Sequence, residues 1–573
     1  LDVIVKRVVA RIEAGDVIGE RAAVLNTPRT ERAVTTPQFV DDFSFAKGAH
    51  QFAFGVNVRS YQHNDRRGQP GGINVTPAIS FSAGVRAPVG FNTPAQSTTT
   101  AAGINATDFT RLQGAINDLL GIPARLSQVF IGDLSSDAYL PFQKDGKVTL
   151  FSVGNRLRQY NFYGQDEWRY RQNLSISLGL RIEDNPAPTE VNGKVYVPNK
   201  AIETVGGVTF QKADRFYDRN NVTFGPRIGI AWSPRNSTKF VVRAGYGLAF
   251  DAVPSFQATA VGGRPPGLIG SCSSTLGGTT TTGCTVAPDL RIGQGFPLEM
   301  SAPSFKPSSQ LTLPLVTLSN APPVAVFDPN LKLPTVHQWN LSLQRELPSG
   351  IVAQVAYVGR RGTRLQRAYD INQIDANGAL LNSFTLMQAN INKNCQADGT
   401  GCPAGTTGSA VPLVTSGVLT AAFVNSTTTR NDLLLNQAGN FVGRVEQTTL
   451  AGQFRINQQF GVVTYIESGG SSHYHALQST LRKRFEKGLL FGASYTFQKS
   501  IDDQSVDPVG ASSGGGLSTT NSRTPTDARR FYGEKARSDF DRTHVFTAFS
   551  VYEAPFGKGK ALLSNVPGAV NHI

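Results

Sequence analysis

Charge is scarce in this chain. Asp, Glu, Lys and Arg make up 17% of its 573 residues, against roughly a quarter in ordinary soluble domains. That excludes coiled coils and long acidic or basic disordered tails. Long apolar runs are missing as well: no stretch approaches the ~18–20 residues that a membrane-spanning helix requires. No G-x-S-x-G, phosphate loop or H-E-x-x-H occurs, so the residue pattern argues neither for an enzyme nor for a cofactor. No charged stretch followed by an apolar run opens the chain, and a signal peptide is not legible. Residue 1 is Leu, and the other end, Pro567–Ile573, follows the turn-like Pro555–Gly559. Both ends read as cut points, and the expectation is a piece of a longer chain.

What is present is aromatic and basic. There are 34 Phe and 15 Tyr, and 55 Lys and Arg against 41 Asp and Glu give a net charge of +14. The surplus is scattered over turns and loops, with richer stretches at Arg360–Arg367 and Arg482–Lys487. No compact basic domain interleaved with aromatics emerges, so no nucleic-acid partner is expected. Lipid headgroups and lipopolysaccharide phosphates account for the basic residues more simply.

The apolar residues recur at every second position. Leu174, Ile176, Leu178, Leu180 and Ile182 alternate without fault against Asn173, Ser175, Ser177, Gly179 and Arg181. A helical stripe recurs at three or four, so this is a strand. The same alternation returns at Phe52–Val58, Phe240–Phe250 and Leu489–Phe497, and more weakly at Tyr160–Tyr170, Phe224–Trp232, Trp339–Leu343 and Ile351–Tyr357. Leu477, Leu481 and Phe485 fit strand or helix, and the neighbouring strand at 489–497 favours the former. With strands ending near Phe45 and running over Thr543–Tyr552, about eleven are expected.

The connections alternate between short and long. Lys47–Gly48, Arg171–Gln172, Ser233–Thr238, Pro348–Gly350 and Glu486–Gly488 are short; Glu183–Asn221, Asp251–Thr335, Gly359–Ser472 and Lys499–Arg542 are long. Structureless connections of such length are rare in compact soluble domains. They are normal in a transmembrane β-barrel, where antiparallel strands are joined by short periplasmic turns and long extracellular loops. The long segments are Gly/Ser/Thr-rich at Ser271–Gly283, Thr400–Gly408 and Gly510–Asn521, and 107–126 has helical spacing. The fold class read here is all-β, an incomplete antiparallel transmembrane barrel over 37–555. An unassigned segment, 1–36, precedes it and a truncated turn, 556–573, follows. A soluble β-sandwich or propeller is the competing architecture.

If the apolar phase faces lipid, with aromatics such as Phe162, Tyr163, Trp168 and Trp232 near its borders, the other phase lines the lumen. Arg59, Arg181, Arg227 and Arg243 all fall in that second phase, where they escape the cost of about 2–4 kcal/mol for arginine at the bilayer midplane. Either they pair with acidic groups of a plug or substrate, or they solvate a water-filled interior. Cys272 and Cys284 lie in one long loop, Cys395 and Cys402 in another. Two local disulfides in an oxidising compartment fit this spacing better than zinc. His473-x-His475 puts two imidazoles on one strand face, which suits a metal or an interfacial role.

Several stretches resemble a known family. Phe162–Arg169 followed by Leu174–Arg181 looks like the Y-x-Q-D-x-W … L-x-L-x-x-G-x-R hairpin of TonB-dependent outer-membrane receptors. Gly225–Pro234 and Arg243–Gly247 are similar to their next hairpin, and Leu477–Phe485, Ala493–Ser500 and Tyr552–Gly559 look like the Oar-like subgroup. The resemblance implies a barrel of about 22 strands with an N-terminal plug, coupled to the TonB complex through a TonB box. It further implies energised uptake of an extracellular substrate, of unknown identity here, across the outer membrane of a Gram-negative bacterium. Neither plug nor TonB box nor terminal aromatic strand is legible in these residues. A surface receptor or adhesin barrel without transport, and a soluble secreted β protein, stand as alternatives.

Overall fold

A computed structural model of the chain describes residues 31–67, 151–262, 324–505 and 531–555, with gaps at 205–206, 219–221, 235–238, 375–377, 447–453 and 487. It also describes short strands at 4–7, 11–14, 78–80, 125–133, 138–139, 143–144, 147–148 and 269–275, and a few isolated positions.

The period-2 segments form one antiparallel sheet. Its long strands are β1 (Glu31–Lys47), β2 (His50–Arg67), β3 (Phe151–Arg171), β4 (Leu174–Asp184), β5 (Thr223–Trp232) and β6 (Phe240–Phe250), followed by β7 (Thr335–Leu347), β8 (Ile351–Asp370), β9 (Val463–Glu486), β10 (Leu489–Asp502) and β11 (His544–Tyr552). Each is hydrogen-bonded to the next in sequence. The sheet has 16 strands; the other five are the short strands Ile4–Arg7, Arg11–Ala14, Thr189–Glu190, Val324–Phe327 and Ala536–Arg537. Among the described residues no pairing joins β1 to β11, and the sheet is open. The ambiguous 477–485 segment is strand, inside β9. No helix among the described residues is long and apolar enough to cross a membrane.

Tight turns close one end of the sheet. Gly48 and Gly488 adopt left-handed φ of 61° and 77° between β1 and β2 and between β9 and β10, a conformation that costs glycine nothing and other residues energy. Ser349 takes φ 64° beside Gly350 between β7 and β8.

At the other end the strands run on far past the expected boundaries. A bilayer is crossed by about 9–11 tilted residues, yet β3 has 21, β8 has 20 and β9 has 24. The added residues, such as Val153, Ala368, Asp370 and Ile466, are buried. The connections expected to be structureless therefore fold, where described, into a cap on this extension. Val324–Phe327, four apolar residues in a row, runs parallel to Val463–Ile466 of β9. Its alternate side chains divide between two cores. Val324 and Val326 join Ile202, Val208, Phe210 and Phe460; Ala325 and Phe327 join Phe216, Tyr217, Val253 and Leu331. A helix, α1 (Ser255–Gly262), contributes Ala258 and Val261 to the second core.

Between β8 and β9 a helical insert replaces the expected loop. It contains α2 (Ala379–Asn392), α3 (Thr427–Leu434) and α4 (Ala438–Glu446). Ser426 caps α3 by accepting from Thr429 N, which satisfies a backbone donor that a helix start leaves open. Leu380, Phe384, Met387, Val424, Leu433, Phe441 and Val445 form its core. Periodicity of two cannot reveal such a unit, because its helices are short and the Gly/Ser/Thr-rich turn between α2 and α3 resembles linker.

Other expectations resolve locally. Cys395 and Cys402 are disulfide-bonded across the 395–402 turn, leaving no thiolate there for zinc. Cys272 lies in the strand Ile269–Thr275 rather than in a loop, and Cys284 is outside the described residues. Of 107–126, residues 111–112, 115–116 and 119 are helical, 125–126 begin a strand and the remainder lies outside the described residues.

Candidate functional site: the two faces of the sheet

Paired residues of neighbouring strands point to the same side, so the register assigns every position to a face. One row runs Phe45, Phe52, Asp166, Leu178, Ile228, Tyr246, Trp339. Another runs Ile176, Ile230, Ala244, Leu341, Tyr357, Leu477, Phe497. This face is apolar and it is uncovered: Leu178, Ile228, Leu341 and Leu477 are each 45–47% exposed. An exposed apolar band of this extent marks a contact surface rather than a solvated one. Towards the turns it ends in rings. His50 donates to or accepts from Asp166 at 2.8 Å and stacks on Trp168 at 5.3 Å, and Trp168 meets Tyr170 edge-on. Arg345 also falls on this face, three positions from the turn, where its long stem can lift the charge to the interface.

The other face is polar, and all four predicted arginines lie on it. The structure brings two of them together. Arg181 pairs with Glu183 at 2.6 Å, and Arg227, next to Arg181's partner Gly225 in the ladder, acts on the same carboxylate. Arg227 is opposite Gly179 and Gly247. A methyl group on Gly247 would sit 3.6 Å from the Arg227 Cγ, so the two glycines flank the stem of this side chain. Among the described residues Arg227 makes no hydrogen bond or ion pair of its own. The other two are apart. Arg243 donates to Gln344 at 2.8 Å, and Arg59 to the Tyr61 hydroxyl at 2.8 Å. Tyr163 differs from its expected place beside Phe162: it points to the polar face and donates to Asp42 at 2.7 Å.

Above the polar face the cap is locked to the sheet by a buried charge pair. Arg455, at the end of the insert, donates to Asp370 at 2.7 Å and to the Asn372 carbonyl, both charged side chains being 3% exposed. The Asn372 amide donates to the carbonyls of Asn457, Phe460 and Gly461. Asn457 in turn donates to the Ile202 and Thr204 carbonyls. The insert's exit is thereby tied to the end of β8 and to the neighbouring connection. Alternation could not disclose this network, since its members lie beyond the alternating segments. Among the described residues no group of three His, Cys, Asp or Glu side chains could hold a metal ion. His473 and His475 share the apolar face, and His475 is engaged by Tyr357.

An uncovered apolar face backed by a polar one is the pattern of an outer-membrane strand system. The model of the outer membrane beta barrel domain matches residues 14–573. The chain belongs to that family. Its place is accordingly the outer membrane of a Gram-negative bacterium. No curated protein matches the chain. Among solved structures it is similar to the outer membrane transporter YddB from Escherichia coli, at 10% identity and TM-score 0.35 over 83% of this chain and 35% of that one. It is also similar to the copper transporter OprC, at 7% identity and TM-score 0.34 over 82% and 39%. A third is the ferric yersiniabactin uptake receptor FyuA from Yersinia pestis, at 7% and 0.31 over 92% and 41%. The barrel-domain chain thus spans well under half the length of these structures.

Proposed function

We propose that this chain is barrel wall and extracellular cap of a TonB-dependent outer-membrane transporter of the Oar-like kind, and not an enzyme. The carrying observation is the sheet itself, with an uncovered apolar face, an arginine-bearing polar face, the described tight turns at one end and a folded cap at the other. On this reading the turns face the periplasm, and the cap captures an extracellular substrate. Arg59, Arg181, Arg227 and Arg243 line the lumen, and Arg227, which makes no ion pair among the described residues, is offered to a plug carboxylate or an anionic substrate group. The plug and the TonB box belong to partner segments, and the TonB complex supplies the energy. The stretch 37–555 is taken as barrel, flanked by 1–36 and 556–573, with the second disulfide between Cys272 and Cys284.

Deleting the gene and measuring nutrient uptake by intact cells, with and without a protonophore, tests the reading. Loss of a protonophore-sensitive uptake supports it. Unchanged uptake with lost surface adhesion favours the receptor reading instead. The uncovered apolar face and the family leave no support for a soluble secreted protein.

A further inference from the structure

Two connections of the cap, from β4 to β5 and from β6 to β7, meet around a cavity of about 430 Å³, within the range of small-ligand pockets. Val197, Pro198 and Ala213 line it from the first connection and Pro329 from the second, while Asp214, Arg215 and Asp218 bring charge of both signs to the same lining. The segment that carries these charges is held in place. Ala213 N donates to the Val195 carbonyl at 3.0 Å, and Asp218 N donates to the Pro329 carbonyl at 2.8 Å. Between these ties Phe216 and Tyr217 are buried, and both pack edge-on against Phe327, at 5.9 and 5.4 Å. Two buried rings and two backbone bonds thus fix the Ala213–Asp218 backbone, yet Asp214, Arg215 and Asp218 are exposed. Among the described residues none of the three side chains forms a hydrogen bond or ion pair, although Asp214 and Arg215 are neighbours in sequence. Asp328, in the facing turn, is engaged by the Asn330 backbone N–H at 2.9 Å.

We propose that this cavity binds a short peptide in its zwitterionic form, apolar in its side chains, as the substrate class of the cap. The proposal rests on the reading of the cap as the extracellular capture site. The charges decide the class. A free ammonium is matched by carboxylates, and Asp214 and Asp218 supply two; a free carboxylate is matched by the planar guanidinium of Arg215. A ligand of one charge sign would leave at least one of these groups facing like charge. The valine, alanine and proline part of the lining takes the apolar side chains, whose removal from water adds affinity without direction. A sugar suits the site less well, because Phe216, Tyr217 and Phe327 are 3–5% exposed and present no open ring face for stacking. With the backbone already fixed, binding orders only the three charged side chains, which keeps its entropic cost low.

The test uses the protein extracted from its own outer membrane in mild detergent. Isothermal titration calorimetry is run with leucylphenylalanine and leucylleucylphenylalanine, and with their N-acetylated and C-amidated forms. The peptides with both ends free are expected to bind saturably. Arg215→Ala is expected to weaken them at least about tenfold, and to leave the weaker binding of the C-amidated forms unchanged. Asp214→Asn/Asp218→Asn is expected to weaken the free peptides similarly, with the N-acetylated forms now the insensitive set. All three side chains are exposed, so an unchanged melting temperature separates lost contacts from lost folding. No saturable binding of the free peptides, or a loss on substitution that is equal for free and blocked forms, overturns the proposal. If peptide binding fails while gene deletion still abolishes protonophore-sensitive uptake, the site is wrong and the transporter reading stands. If the peptides bind as expected but no such uptake exists, the site stands and the transporter reading falls.

Discussion

The band and the cap of this molecule are built from the same strands but obey opposite rules. In the band, between the tight turns and the middle of each strand, side chains alternate and the apolar face stays uncovered; Leu178 and Ile228 are 45% exposed. In the cap, the continuing residues of β3, β8 and β9 are buried, and Val324–Phe327 places apolar side chains on both of its faces. The difference is one of solvent. A strand in lipid needs only a partner strand for its backbone and lipid for one face, whereas a strand in water must find protein for each apolar face. Stability in the cap is therefore a matter of packing and buried pairs, and in the band a matter of which face a residue occupies.

The largest way to break this division is in the cap. Arg455→Ala leaves Asp370 buried without its partner, which costs about 3–5 kcal/mol. Limited proteolysis should then cleave between residues 371 and 462 while the band stays protected in membranes. Replacing both members, as Asp370→Leu/Arg455→Met, should restore most of the resistance.

In the band, one position decides the outcome. Leu178→Arg puts a cation on the apolar face and should cost about 2–4 kcal/mol, whereas Ser177→Arg, on the polar face, should cost far less. Denaturant titration of the protein refolded into lipid vesicles measures both; similar values for the two would contradict the assignment of faces.

A smaller effect is expected for the insert's disulfide. Cys395 and Cys402 are 7 apart in sequence, and closing so short a loop contributes about 2–3 kcal/mol on the chain-entropy account. Cys395→Ser/Cys402→Ser should lower the melting temperature of the insert and leave band folding unchanged.

The smallest effect concerns pH within the same turn. Partial burial opposes ionisation of Asp398, but hydrogen bonds from the Thr400 backbone and hydroxyl and from Asn425 outweigh it and hold the carboxyl below its usual range. A folded value below the unfolded one means the stabilisation is present above the ordinary aspartate value of about 4 and is lost as pH falls through the folded value. Proteolytic resistance of the insert should decline on acidification in the native protein and change less in Asp398→Asn.

These two regions were unequally legible in the sequence. Leu174–Ile182 declared its strand, and the register puts Arg181, Arg227 and Arg243 on the face opposite Leu178. Alternation works there because lipid and water impose it residue by residue. The cap offered no comparable signal. Its strand extensions mix apolar and polar residues without sustained alternation, its helices are short, and Arg455 meets Asp370 across a sequence separation of 85. Three histidines were legible in principle: His337, His475 and His544 stand in the apolar phase, where a polar ring needs a partner, and each is hydrogen-bonded to a tyrosine hydroxyl. Proximity of Arg181 to Arg227 could not be read, because it depends on the pairing register of β4 with β5.

The central claim is that one sheet separates lipid from water residue by residue. Spin labels placed singly at positions 174–182 and 224–232, in the cysteine-free protein reconstituted in bilayers, test it most directly. Accessibility to oxygen and to a water-soluble nickel complex should alternate out of phase with a period of two, oxygen being favoured at 176, 178, 228 and 230. Uniform accessibility along both strands, or a period near 3.6, would contradict the account.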